Sequence, residues 1–403
     1  LQLGLYHAAD RKASHSIKNI PDELCKLYNF VFHCGLLRCS HAEITVFSEK
    51  LLHNYTQCGS IYANNPDIIH FVSLFILYSA ACRCSVKGGV SNMKKVFIDG
   101  SAGTTGLRIR DRLAQRDDIK LIELPEEKRK DTQARRKALN SADISFLCLP
   151  DAAAIEAAEL VENENTVILD TSTAHRTAPG WAYGFPELSA EFEAKIISSK
   201  RIAVPGCHAS GFIALVYPLI EAGLLGKDAL LSCTSLTGYS GGGKKMIAEY
   251  EGYEKGAPLF APRQYGTSQQ HKHLKEMKAV CGIDEFPIFC PIVDDYYSGM
   301  EVTVPIFARQ LKSSGIEDIK AVYAEKYNGP VVTCGDESQG GFLSASALSG
   351  TDGMKICVYG NEERILLTAI YDNLGKGASG AALECMNLVL GKEKNYGLSI
   401  KRR

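Results

Sequence analysis

The chain has 403 residues, 45% of them hydrophobic and 23% charged, a balance that excludes a fibrous or a disordered protein. Its formal net charge is -1, and the sequence has no basic stripe interleaved with aromatic residues, which argues against nucleic-acid binding. We therefore expect two or three domains that act on a small molecule, with no nucleic-acid partner and no membrane span.

The first 92 residues differ in character from the rest of the chain. They hold six of its ten histidines and six of its 14 cysteines, and they show little helix or strand periodicity. Their apolar run at residues 68–82 is shorter than the roughly 18 residues of a membrane-spanning helix. Met93 then opens a stretch typical of a natural protein start. We interpret residues 1–92 as dispensable upstream sequence, with a small accessory domain as the alternative.

The eight cysteines after Met93 are scattered and form no C-x-x-C pairs. This distribution indicates reduced intracellular thiols, and it argues against a disulfide framework or a zinc site. The sequence therefore predicts a cytoplasmic protein without a metal site.

Strands and helices alternate from Lys94 onward. The pattern predicts strands at residues 95–98, 119–124, 144–149 and 166–169, and helices at residues 107–116 and 152–162. The strands at residues 144–149 and 166–169 are apolar without alternation, as is typical of a parallel sheet that is covered on both faces. This order predicts an α/β Rossmann-like dinucleotide-binding domain over residues 93–207.

The pattern changes after Cys207. Residues 212–222 have helical spacing, and the region 230–358 mixes Gly-rich loops with strands such as residues 299–305. We predict an α+β catalytic and dimerisation domain over residues 208–375. A helix at residues 378–390, within the segment 376–392, is expected to return and complete the first domain.

A glycine turn lies between the first predicted strand and the first predicted helix. Backbone without Cβ atoms can approach a pyrophosphate, and the N-terminus of the following helix can stabilise the negative charge. The spacing departs from the commonest G-x-G-x-x-G, and a plain tight turn is the alternative. The predicted cofactor-binding residues of this turn are Gly100, Ser101, Gly103, Thr104, Thr105 and Gly106.

The residues alone leave the choice of dinucleotide open. Glu123, at the end of the second predicted strand, is placed to accept a hydrogen bond from a ribose 2′-hydroxyl, which favours NAD. Lys128, Arg129 and Lys130 follow closely and can pair with the additional phosphate of NADP. A solvated charged surface is the alternative for this basic run.

Cys207 follows Gly206 and precedes a predicted helix, so we expect the positive end of the helix dipole to lower the pKa of its thiol. The thiolate is the form that attacks a carbonyl carbon. Either His271 or His273 can serve as the acid/base of such chemistry, whereas we interpret His208 as structural. A buried inert thiol is the alternative for Cys207.

The segment 238–245 contains four glycines and two lysines. Its backbone donors and ammonium groups suit an acyl phosphate, with a flexible surface loop as the alternative. Ser240 and Gly241 are the predicted substrate-binding residues of this segment.

Taken with several other short motifs, these residues resemble the short-form N-acetyl-gamma-glutamyl-phosphate reductases, arginine-biosynthetic members of the semialdehyde dehydrogenase group. The resemblance covers residues 93–398, and its motifs are highly specific in combination. They lie at residues 100–106, 126–131, 148–151, 170–176, 183–188, 205–207, 239–241, 271–273 and 373–380. Lys275 departs from the pattern, which has a proline two residues after the position of His273.

The resemblance implies an NADP(H)-dependent reduction of N-acetyl-L-glutamyl 5-phosphate to the 5-semialdehyde, through a thioester on Cys207, with His271 as the acid/base. It also implies a homodimer or a homotetramer. The residues that it implies for placing the substrate are Arg176, Arg263, Tyr265 and His273. The residues that it implies beside the cofactor are Ser172, Asn373 and Ala378.

Two other functions stay open from the sequence. An aspartate-semialdehyde dehydrogenase would perform the same chemistry on a related acyl phosphate, although residues 183–188 and the His-Lys-His cluster fit the acetylglutamyl enzymes better. A non-catalytic dinucleotide-sensing scaffold would keep Cys207 only as a structural residue. Glyceraldehyde-phosphate dehydrogenase is disfavoured because its Ser-Cys-Thr-Thr-Asn run is absent.

Overall fold

The computed structural model describes residues 93–312 and 315–400. The interpretation of residues 1–92 as a dispensable extension concerns residues outside this range. Among the described residues, no helix has both the length and the apolar surface that a membrane crossing requires. The helices are α1 (Thr104–Leu113), α2 (Thr132–Ser141), α3 (Asp151–Glu159), α4 (Ala190–Ser198), α5 (Cys207–Glu221), α6 (Gly243–Glu251), α7 (His273–Cys281), α8 (Ile316–Lys326) and α9 (Gly380–Val389).

The first sheet is parallel and covered by helices on both faces. Its strands are β1 (Lys94–Asp99), β2 (Ile119–Ile122), β3 (Ile144–Leu147), β4 (Val167–Asp170), β5 (Ala182–Tyr183) and β6 (Arg201–Ala203), in the order β2-β1-β3-β4-β6-β5. Val96 and Ile98 pack with α1 and α9, whereas Phe97 between them packs with α2 and α3. This alternation explains why whole strands are apolar. The predicted Rossmann-like fold is confirmed.

The second sheet is mixed and packs one face on α5, α7 and α8. Its strands are β7 (Ser232–Gly238), β8 (Arg263–Gln264), β9 (Ile288–Asp294), β10 (Met300–Phe307), β11 (Val332–Cys334), β12 (Met354–Gly360) and β13 (Arg364–Tyr371), in the order β11-β12-β13-β10-β7-β9-β8. The predicted α+β character of this region is confirmed.

Two helices begin earlier than their apolar spacing predicted. Helix α1 starts at Thr104 instead of residue 107, and α5 starts at Cys207 instead of residue 212. Neither start has a side-chain cap that a pattern search recognises, since a glycine precedes each helix. The earlier start of α5 places the thiol in the first turn of a helix.

Helix α5 is buried on nearly every side, although Pro218 interrupts its hydrogen bonding. Proline has no N–H, so the carbonyl of Ala214 loses its helical partner. The hydroxyl of Tyr327, at the end of α8, donates to that oxygen at 2.7 Å. A side chain from a neighbouring helix thus satisfies the acceptor that Pro218 leaves free.

A buried ion cluster ties the end of the chain to the parallel sheet. A π-helical turn, Gly375–Ser379, leads into α9, and the ammonium of Lys376 in this turn donates to Glu187 at 2.7 Å and to Glu384 of α9. Burial and the charge of Glu187 raise the pKa of Glu384 well above its usual range. Burial also opposes ionisation of Glu187, but the charge of Lys376, together with hydrogen bonds from Glu384 and Lys376, lowers the pKa of Glu187. These opposite directions favour a proton on Glu384 and a carboxylate on Glu187 beside the ammonium of Lys376.

Removal of the ammonium should destabilise the protein. We expect Lys376→Met to lower the free energy of unfolding by about 3–5 kcal/mol, because a buried carboxylate loses its partner. The control Glu384→Gln keeps a neutral side chain with a hydrogen-bond donor. It should lower the free energy of unfolding by less than about 1 kcal/mol. Unfolding of the full chain in urea measures both. Equal losses in the two variants would contradict the protonated state assigned to Glu384.

Candidate active site

A cavity of about 330 Å³ lies where the parallel strands end and α5 begins. Residues that follow β3, β4 and β6 line it, and the carboxyl ends of parallel strands are the usual binding edge of such a sheet. The predicted site residues in its wall are Gly103, Thr104, Thr105, Gly106, Arg176, Cys207, Ser240, Gly241, His273, Asn373 and Ala378.

The other predicted residues do not line this cavity, and they are Gly100, Ser101, Ser172, Arg263, Tyr265 and His271. Ser172 donates its hydroxyl to Asp170 at 2.7 Å. Arg263 donates from Nε and Nη2 to the hydroxyl of Tyr250, at 3.2 and 2.9 Å. The hydroxyl of Tyr265 lies 2.6 Å from Nε2 of His208. The side chains of Ser172, Arg263 and Tyr265 thus bind other protein groups and not the cavity.

The glycine turn needs glycine at two positions. Gly100 has a φ of +86°, and a Cβ there would lie 2.2 Å from the carbonyl oxygen of Cys148. A Cβ on Gly106 would lie 2.4 Å from the carbonyl oxygen of Gly100. The missing side chains let the N-terminus of α1 approach the ends of β1 and β3.

The N-terminus of α1 fits the pyrophosphate of a dinucleotide. Its first turn contains no acidic residue, so the positive end of the helix dipole is not neutralised there. The Oγ1 of Thr104 is buried and has no hydrogen-bond partner among the described residues. A phosphate oxygen would supply the missing partner, as helix N-termini commonly bind such groups.

Three side chains converge on the backbone just before the thiol. A Cβ on Gly206 would lie 2.3 Å from Nη1 of Arg176, 2.5 Å from Oε1 of Glu276 and 2.5 Å from Nε2 of His273. Gly206 is therefore needed for this approach. The following residue, Cys207, opens α5 and faces the cavity.

Glu276 is the functional residue that the sequence analysis missed. It is buried, and it accepts hydrogen bonds from Arg176 Nη1 at 2.7 Å, the Tyr183 hydroxyl at 2.9 Å and the Gly206 N–H at 3.1 Å. Its signal in the sequence is a carboxylate one helical turn after His273, on the otherwise apolar face of α7. Buried carboxylates need such partners, so this spacing was informative.

Arg176 is held by the protein on several sides. Besides Glu276, its guanidinium donates to the carbonyl oxygens of Val204 at 2.9 Å and Thr171 at 3.1 Å. It lines the cavity, as expected of a residue that places substrate. Its charge, however, is already balanced by Glu276 before any substrate carboxylate arrives.

The two candidate histidines occupy different positions. His273 lines the cavity, and its Nδ1 is buried without a hydrogen-bond partner in the described part of the chain. His271 uses its Nδ1 to accept the backbone N–H of His273 at 3.2 Å. His208 lies between the Ser235 hydroxyl, 2.7 Å from its Nδ1, and Tyr265, in agreement with a structural role.

The expected lowering of the thiol pKa is wrong for the protein before substrate binds. Burial raises the pKa of Cys207 to about 11, and the guanidinium of Arg176 and the N–H of His208 only partly oppose it. Burial, with the nearby charge of Arg176, lowers the pKa of His273 well below its usual range. At neutral pH the site therefore holds a neutral thiol and a neutral imidazole.

Two family models match the chain. The model of the semialdehyde dehydrogenase NAD binding domain matches residues 95–196, and the model of the semialdehyde dehydrogenase dimerisation domain matches residues 207–373. The first match contains the glycine turn, and the second begins at Cys207.

Solved structures of similar fold include two aspartate semialdehyde dehydrogenases. The Vibrio cholerae enzyme II, complexed with ASA, has a TM-score of 0.57 and 15% identity, over 74% of this chain and 99% of that chain. The Candida albicans enzyme with NADP has a TM-score of 0.52 and 15% identity, over 75% of this chain and 99% of that chain. At this level of identity the likeness shows the fold alone.

Curated relatives are much more similar in sequence. The N-acetyl-gamma-glutamyl-phosphate reductase of Brucella ovis is 46% identical over 309 residues, which cover 74% of this chain and 99% of the relative. The N-acetyl-gamma-glutamyl-phosphate reductase 2 of Nostoc sp. is 44% identical over 322 residues, which cover 76% of this chain and 100% of the relative. The chain therefore belongs to the semialdehyde dehydrogenase family, among the N-acetyl-gamma-glutamyl-phosphate reductases.

Proposed function

We propose that the chain catalyses the NADPH-dependent reductive dephosphorylation of N-acetyl-L-glutamyl 5-phosphate to N-acetyl-L-glutamate 5-semialdehyde, a step of arginine biosynthesis, in the cytoplasm. The observation that carries the proposal is the single cavity that the glycine turn shares with Cys207. The names of the Brucella ovis and Nostoc relatives support this substrate. Activity on an aspartyl phosphate is supported only by fold, at 15% identity.

The chain's own residues carry the first half of the reaction. As the acyl phosphate binds, His273 takes the proton of Cys207, and the thiolate Sγ attacks the acyl carbon. The bond from that carbon to the phosphate oxygen then breaks, which leaves a thioester on Cys207. The guanidinium of Arg176 favours the thiolate, since its charge lowers the pKa of Cys207 against the effect of burial.

The second half needs the cofactor and the same base. NADPH, when bound at the glycine turn, supplies the hydride that reduces the thioester. His273 then protonates the alkoxide oxygen of the hemithioacetal and takes that proton back as the C–S bond breaks. The resemblance implied His271 for this role, but we favour His273 because it lines the cavity and has an unpaired Nδ1 among the described residues.

We assign the leaving phosphate to the N-terminus of α6. Gly241 and Gly243 line the cavity, and α6 begins at Gly243 with no acidic residue in its first turn. The Oγ of Ser240 accepts from Nδ2 of Asn373 at 3.0 Å, which fixes this loop beside the cavity.

The surroundings of the second strand support NADP over NAD. The carboxylate of Glu123 accepts from Nε of Arg110 at 2.8 Å, so part of its capacity to bind a ribose hydroxyl is already used. Lys128, Arg129 and Lys130 are exposed nearby and carry the positive charge that an additional phosphate needs.

We also propose that the chain forms a homodimer through the part of the mixed sheet's outer face that the loop at residues 343–348 leaves uncovered, with a homotetramer as the alternative. Ile288 of β9, Phe307 of β10 and Leu366 of β13 are exposed at 63%, 48% and 42%. The strand register and the alternation of burial place all three on the face opposite α5. Exposed apolar side chains grouped on one face are typical of an interface.

The direct test is the reduction of NADP⁺ by N-acetyl-L-glutamate 5-semialdehyde, with and without inorganic phosphate, followed as NADPH absorbance. We expect phosphate-dependent reduction by the full chain and by a shorter chain that starts at Met93. Cys207→Ser should lower kcat/KM by at least about 1,000-fold, because the nucleophile is lost. Turnover only with aspartate semialdehyde would sink the proposed substrate, and wild-type activity in Cys207→Ser would sink the mechanism.

The two histidines can be separated by matched variants. We expect His273→Asn to lower kcat by about 100- to 10,000-fold, because the site loses its acid/base. His271→Asn should lower kcat by less than about tenfold, since it removes a hydrogen bond to the backbone of His273 and ring packing, and no acid/base. Steady-state kinetics measure both, and a larger loss in His271→Asn would transfer the acid/base role to that residue.

The dimer interface can be broken by one charge. Leu366→Lys should yield a monomer by light scattering, because it buries an ammonium in the middle of an apolar contact. The control Ile197→Lys changes an exposed residue of α4, away from the mixed sheet, and should leave the mass unchanged. A Leu366→Lys variant of unchanged mass would contradict this interface.

A further inference from the structure

The backbone at the start of α5 forms hydrogen bonds with a side chain of the mixed sheet. The hydroxyl of Tyr371 donates to the carbonyl oxygen of Cys207 at 2.5 Å and accepts from the N–H of Gly211 at 3.0 Å. These are the two backbone groups that an i to i+4 bond would join in the first turn of α5, directly after the bond from the Ser210 N–H to the Gly206 carbonyl oxygen at 2.8 Å. A residue of β13 therefore takes part in the hydrogen bonding of the residue that bears the thiol.

Gly211 makes room for this contact. A Cβ at that position would lie 2.7 Å from the Tyr371 hydroxyl and 2.6 Å from Cγ2 of Val302. Glycine inside a helix is unfavourable relative to alanine, so its presence here indicates a local requirement. The requirement is the close approach of both the Tyr371 hydroxyl and the Val302 side chain to the helix backbone.

Tyr371 is held firmly at the end of β13. It is fully buried, and it pairs with Met300 of β10 and Met354 of β12. The chain then enters the π-helical turn, where a Cβ on Gly377 would lie 3.1 Å from Cβ of Cys207. One short segment of chain thus contacts Cys207 at its backbone through Tyr371 and at its side chain through Gly377.

We propose that Tyr371 is a positioning residue for the thiol: its hydroxyl fixes the first turn of α5, and with it the direction in which Sγ of Cys207 enters the cavity. The proposal rests on the proposed role of Cys207 as the nucleophile. Attack depends steeply on orientation, since a misplacement of about 1 Å can cost about 100-fold in rate. Burial raises the pKa of Tyr371 well above its usual range, so the hydroxyl keeps the proton that it donates.

A hydroxyl that only stabilises the fold is the competing explanation, and α5 offers a matched control. Tyr327 is also buried, and it donates to the carbonyl oxygen of Ala214, about two helical turns from the thiol. Tyr371→Phe and Tyr327→Phe each remove one buried hydroxyl bound to the same helix. Both variants keep the aromatic ring, and thermal unfolding followed by circular dichroism shows the temperature range in which each is folded.

The first readout needs neither substrate nor cofactor. Iodoacetamide alkylates thiols according to their ionisation and access, and peptide mass spectrometry gives the rate for Cys207 alone. At a fixed pH, and well below the unfolding midpoint of each variant, we expect Tyr371→Phe to lower this rate by at least about fivefold. Tyr327→Phe should leave it unchanged, whatever stability it loses.

The second readout is catalysis. Tyr371→Phe should lower kcat by about 10- to 100-fold with KM within about threefold of wild type, because orientation and not binding is lost. The proposal is overturned if the alkylation rate and kcat of Tyr371→Phe both stay at wild-type values, or if Tyr327→Phe lowers them equally. If wild type shows no turnover but Tyr371→Phe slows alkylation, the proposed function fails while the positioning of the thiol stands.

Discussion

The geometry of the site depends on one buried carboxylate. Glu276 accepts donors from the loop after β4, from β5 and from the residue before α5, and so it links three elements around the thiol. A carboxylate removed from water is stable only when partners of this kind surround it. In return it holds Arg176 against the backbone of Gly206 and balances the charge of the guanidinium. Arg176 therefore offsets only part of the cost of ionising Cys207.

This partial compensation sets the resting protonation of the site. A thiolate together with an imidazolium would place two charges in a largely desolvated part of the protein, and both pKa shifts oppose that state. The neutral forms of Cys207 and His273 are therefore favoured at rest, and in the mechanism that we propose the proton moves when an acyl carbon is present to take the sulfur's electrons. The positive charge of Arg176 favours the thiolate but disfavours the imidazolium, so it does not ionise the pair by itself.

Local patterns in the sequence were enough for the first strands and helices of the parallel sheet and for the glycine turn between β1 and α1, because apolar runs and glycine spacing reflect neighbours along the chain. They were not enough for Glu276, whose partners lie between 70 and 100 residues away. The dipole argument for Cys207 was correct in direction, yet it omitted burial, which depends on elements that the first turn of α5 meets only in the folded chain. The sequence also could not assign the acid/base role to either His271 or His273. Which of the two rings lines the cavity depends on the folded chain and not on their spacing in the sequence.

Helix α5 shows why hydroxyl groups matter in a core that is otherwise largely apolar. Because the helix is buried on nearly every side, hydrophobic contact alone does little to fix its rotation or its first turn. Three tyrosine hydroxyls bind its carbonyl oxygens: Tyr327 at Ala214, Tyr323 at Leu215 and Tyr371 at Cys207. The contact at Ala214 replaces a bond that Pro218 cannot make. The contact at Cys207 lies in the first turn, at the residue that bears the thiol, and this place in the helix is the reason why we propose a positioning role for Tyr371 and not for Tyr323 or Tyr327.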